Sequence, residues 1–163
     1  MGEAKNKSAR TALTDEMRAA MLGEDPFKLA YDFLFGMVEH VYTNSGGVNH
    51  ELIGIDFDAG KPTGGHVLVV RRTEDVPRLR EQMLQHWPMV AHVFEAWHAP
   101  DASVPASQHP QRYDVVSVML NTSDMVAAAS CRVDPGQKTI KRGELFFPSG
   151  VGGRLGCELP TRH

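Results

Sequence analysis

Met89-Val90-Ala91-His92-Val93-Phe94-Glu95-Ala96-Trp97-His98 marks the point at which the chain turns from helices to strands. It starts directly after Pro88, contains no turn residue, and mixes β-branched and aromatic side chains, the composition of a half-buried strand. Alternation along such a strand places His92, Phe94 and His98 on one face and Val93, Glu95 and Trp97 on the other. Three more runs of the same kind follow: Tyr113 to Leu120, Met125 to Val133 and Thr139 to Phe147. The connectors Asn121 to Asp124 and Asp134-Pro135-Gly136 are short enough for hairpins, so the last three runs read as an antiparallel meander.

Upstream of Met89 the pattern is mostly helical. Thr73 to Trp87 carries Val76, Leu79, Met83, Leu84 and Trp87 at helical spacing, with Pro77 in the first turn and Pro88 as the stop. Thr14 reads as the N-cap of a short helix ending near Gly23, and Asp25-Pro26 opens a second one. That second helix is apolar nearly all round: Phe27, Ala30, Tyr31, Leu34, Val38 and Val41 form one face, and Leu29, Phe33 and Met37 extend it. Such a helix is covered on more than one side, by the rest of the domain or by another chain. Between the helices, Leu52 to Phe57 and His66 to Arg71 read as strands, with Asn44 to Gly47 as a turn and Gly60 to Gly65 as a loop. Strands grouped after helices predict an α+β fold, in which N-terminal helices and one further helix pack on a mainly antiparallel sheet of about five strands ending in a meander. Residues 1–12 are expected to be a flexible start, 13–148 one domain, and 149–163 a Gly-rich tail.

A chain of 163 residues with 42% hydrophobic side chains is long enough for one proper core. The net charge of −3 and the scattered basic residues speak against nucleic acid; Lys141 and Arg142 are adjacent and point to opposite faces of a strand. The charged start carries no signal-peptide core, and no apolar run reaches the ~20 residues a bilayer requires, so a cytoplasmic protein without a membrane span is expected. Two cysteines, Cys131 and Cys157, do not make a disulfide framework. Cys131 alternates with Ala127, Ala129 and Val133, and is expected to face the core.

No complete catalytic signature is present. Gly60-Lys61 lacks the leading glycine of a phosphate loop and is followed by Pro62, which removes a backbone donor. Asp56 and Asp58 lack the closing glutamate of a calcium loop, since His66 occupies that position. The densest chemistry lies in Glu95 to His98 and, across a Pro-rich loop, in His109, Arg112 and Asp114. Two imidazoles and a carboxylate suit a divalent metal such as zinc, which makes His98, His109 and Asp114 the candidate metal ligands. Glu95, in an otherwise apolar strand, is the candidate general acid or base.

Three functional expectations follow. The leading one is a small binding or regulatory module with no cofactor, acting on a protein partner, by self-association or on a small molecule through a sheet face or the apolar second helix. The alternative is a metal-assisted hydrolase using His98, His109 and Asp114. The third is a small-ligand pocket between the Thr73 to Trp87 helix and the sheet, with Trp87 and Trp97 at the rim and Arg112 as a further contact.

Overall fold

The computed structural model describes residues 13–148; the expected flexible start, the Gly-rich tail and Cys157 lie outside them. Thr14 Oγ1 accepts the backbone N–H of Met17 and opens α1, Asp15–Ala20. Asp25 accepts from Phe27 N–H, and Pro26 supplies the first position of α2, Pro26–Ser45. This helix runs through the expected turn at Asn44 and Ser45, because the side chains of its last turn bond backward along it. Ser45 Oγ donates to the Val41 carbonyl at 2.6 Å, and Asn44 Nδ2 to that of His40 at 2.7 Å. Gly46, in the left-handed conformation, then ends the helix.

The remaining elements are β1 (Glu51–Asp58), β2 (Lys61–Val69), α3 (Val76–Leu84), β3 (Met89–His98), β4 (Tyr113–Asn121), β5 (Val126–Asp134) and β6 (Thr139–Lys141). A short 3-10 turn, Thr73–Asp75, leads into α3, and another, Ala106–Gln108, interrupts the loop after β3. The strands form one six-stranded sheet in the order β2-β1-β3-β4-β5-β6, with every pair antiparallel. The sheet curls into a half-barrel, giving the α+β architecture read from the strand pattern.

Two segments differ from the sequence reading. Residues 61–65, expected as a loop, are the first half of β2, paired to β1 through a tight turn at Ala59 and Gly60, both at positive φ. The glycines there answer to packing: a Cβ on Gly65 or Gly54 would lie 2.0 or 2.5 Å from the Trp87 ring, so the indole rests flat on bare backbone. Pro62 is tolerated because β2 is an edge strand. The run expected over Thr139 to Phe147 breaks after Lys141, where Gly143 passes so close to β5 that a Cβ would meet the Ser130 carbonyl at 2.1 Å. Pairing resumes at Phe146, which exchanges both backbone hydrogen bonds with Ala128.

The two faces of the sheet are covered differently. On one face Ile53, Ile55, Met89, Ala91, Val93, Val116, Val118, Leu120, Ala127, Ala129 and Cys131 pack with Phe27, Ala30, Tyr31 and Leu34 of α2. Tyr31 donates its hydroxyl to the Gly143 carbonyl at 2.6 Å and lies 3.3 Å from Cys131 Sγ, which ties α2 to the C-terminal segment. On the other face Val76 and Met83 of α3 pack over Leu52 and Val90, and a smaller cluster holds Phe94, Ala96, Val115, Met119 and Ala128. No helix among the described residues is long and apolar enough to cross a membrane.

Candidate functional site

The strand registers separate the residues expected to meet. His98 pairs with Tyr113 and Trp97 with Asp114, so Asp114 shares the α2 face with Trp97 while His98 points to the other. His98 stacks edge-on against Tyr113, centroids 6.0 Å apart, and burial lowers its pKa. His109 is buried, with both ring nitrogens engaged inside its own loop: Nδ1 accepts from Gln111 N–H at 3.0 Å and Nε2–H donates to Asp101 at 3.1 Å. The structure therefore does not bring His98, His109 and Asp114 together, and the described residues contain no group of three or more His, Cys, Asp or Glu placed to hold a metal.

The other candidates are equally dispersed. Glu95 is half-buried on the α2 face, its carboxylate next to Gly47 in the turn after α2, across the sheet from His98. Arg112 places its guanidinium 4.9 Å from the centre of the Trp97 ring. Trp87 is committed to Gly54 and Gly65.

What the structure does bring together is a polar cluster buried on the α3 face. Register places His50 level with Phe94, and Leu52 opposite His92, so the two imidazoles are diagonal neighbours. Their Nε2 atoms are 2.6 Å apart, which requires one ring to donate and the other to accept. Phe94 closes the cluster, its ring centroid 4.4 Å from that of His92. His92 is 0% exposed, and its Nδ1 has no hydrogen-bond partner among the described residues. The same holds for the buried Ser117 Oγ, opposite Phe94 on β4, and for Nη1 of Arg80 on α3. Burial, then the charges of His50 and Arg80, push the His92 pKa down to about 3, and burial lowers that of His50. The pair is thus neutral at neutral pH and shares one hydrogen bond.

Arg80 also lines a groove of about 640 Å³ between α3 and the turn joining β4 to β5. Leu84, Met125 and Val126 supply apolar wall, and Asn121 is held at the floor by a 3.2 Å bond to the Val90 carbonyl. Glu81 and Asp124 sit exposed at the rim, where Asp124 accepts from the Thr122 hydroxyl. The groove lies against the β4–β5 turn, and none of Trp87, Trp97 and Arg112, the residues expected around a pocket, lines it. Sequence reasoning passed over His50, Arg80 and Ser117: His50 reads as a loop residue and Arg80 as the outer face of a helix. The only available signal was a polar residue, Ser117, inside the apolar run Tyr113 to Leu120. No family model, curated protein or solved structure matches the chain.

Proposed function

We propose that this domain is a small-ligand-binding module whose ligand seats between α3 and the β4–β5 turn. The observation that carries the reading is a groove of about 640 Å³ in which Leu84, Met125 and Val126 give an apolar wall and Arg80 stands among polar lining residues, a volume within the range of small-molecule sites. The test is a ligand-observed NMR screen of small polar and amphipathic compounds against the protein and a Val126→Trp variant that fills the groove. Hits that disappear in the variant support the reading; hits that persist unchanged, or no hits, remove it.

A second reading has its own observation. Met37, Val41, Val67 and Val69 are 43–53% exposed, and the last two belong to the edge strand β2. An apolar edge strand has unpaired backbone groups that a second copy can complete across a two-fold axis. Light scattering across a concentration range tests self-association here, with Val69→Lys expected to yield monomer; monomer at every concentration for the unaltered protein sinks it.

A further inference from the structure

This inference rests on the groove being a ligand site and adds the class of ligand. Arg80 lines the groove from α3. Among the described residues no carboxylate lies within ion-pair distance of it, and its Nη1 is buried without a partner. A partly desolvated guanidinium lacking a counter-ion favours an anion, and its planar fork matches carboxylate and phosphate oxygens. Leu84, Met125 and Val126 fit a hydrocarbon portion of the same molecule.

We propose that the groove takes a small organic anion whose carboxylate or phosphate pairs with Arg80.

The test titrates benzoate, phenyl phosphate and benzyl alcohol by ligand-observed NMR at about pH 7. The expected result is benzoate or phenyl phosphate binding about tenfold tighter than neutral benzyl alcohol, the better of the two identifying the acid group. Arg80→Met should erase the preference for anions while keeping benzyl alcohol. Equal binding of charged and neutral probes overturns the anion assignment and leaves the groove reading intact. Failure of every probe to bind overturns this inference and the groove reading together.

Discussion

The α2 face and the α3 face of the same sheet are built on opposite terms. Against α2, a continuous apolar layer meets an apolar helix, and the buried hydroxyl of Tyr31 has a 2.6 Å partner in the Gly143 carbonyl. Against α3, three buried polar atoms, on Arg80, His92 and Ser117, have no partner among the described residues, and beside them a groove opens. Buried unpartnered groups are destabilising, so a face that keeps several of them is spending stability that the opposite face supplies. The contrast supports the proposed site: one side holds the continuous apolar layer, and the other holds the unpartnered polar groups.

The comparison breaks first at Leu34, fully buried on the α2 side. Leu34→Ala should cost about 4 kcal/mol by urea denaturation, and a loss below about 1 kcal/mol would mean that this layer is not the main support. The pH dependence of stability comes next and belongs to the α3 face. His92 has its pKa lowered to about 3 by burial, so below pH ~6.5 the unfolded chain takes up protons that the folded chain refuses. This contribution is complete above pH ~6.5 and declines as the pH drops toward 3, amounting to about 3 kcal/mol between pH 7 and 4. Denaturation midpoints measured across that range, with His92→Gln as the flattened control, check it; a stability that is constant or rises on acidification contradicts the burial of a neutral pair.

Smaller effects sharpen the contrast by moving a hydroxyl from one face to the other. Ala129→Ser introduces an unpartnered hydroxyl on the α2 side and should cost about 2 kcal/mol. Tyr31→Phe, which frees the Gly143 carbonyl, should cost about 1 kcal/mol. Ser117→Ala, on the α3 side, removes a hydroxyl with no partner and should leave the thermal midpoint unchanged or slightly raised. A marked loss on Ser117→Ala would show that the α3 face is as fully satisfied as its opposite.

Much of the scaffold was legible because it rests on local rules. Thr14 and Asp25 cap helices through their own side chains, and the uninterrupted run from Met89 to His98 is a strand with the bounds its composition suggests. Cys131 faces the core because alternation with Ala127 and Ala129 admits no other reading. Strand β2 was half hidden because Gly64 and Gly65 look like loop residues until Phe33 and Trp87 are seen resting on them. The α2 helix outran its expected end because Asn44 and Ser45, turn formers by composition, bond back to the carbonyls of His40 and Val41.

The candidate site was the less legible part. His98, His109 and Asp114 are close in the chain, yet a one-residue difference in strand position turns Asp114 away from His98, and the loop absorbs both nitrogens of His109. His50 and His92 are 42 residues apart and meet only through the β1–β3 register. Helix caps, strand runs and the alternation of faces were readable because they depend on residues within a turn or two of one another. Which polar side chains share a buried space was not, because strand register and the placement of α3 across the sheet are settled by packing of the whole core, and a shift of one residue moves every side chain to the other face.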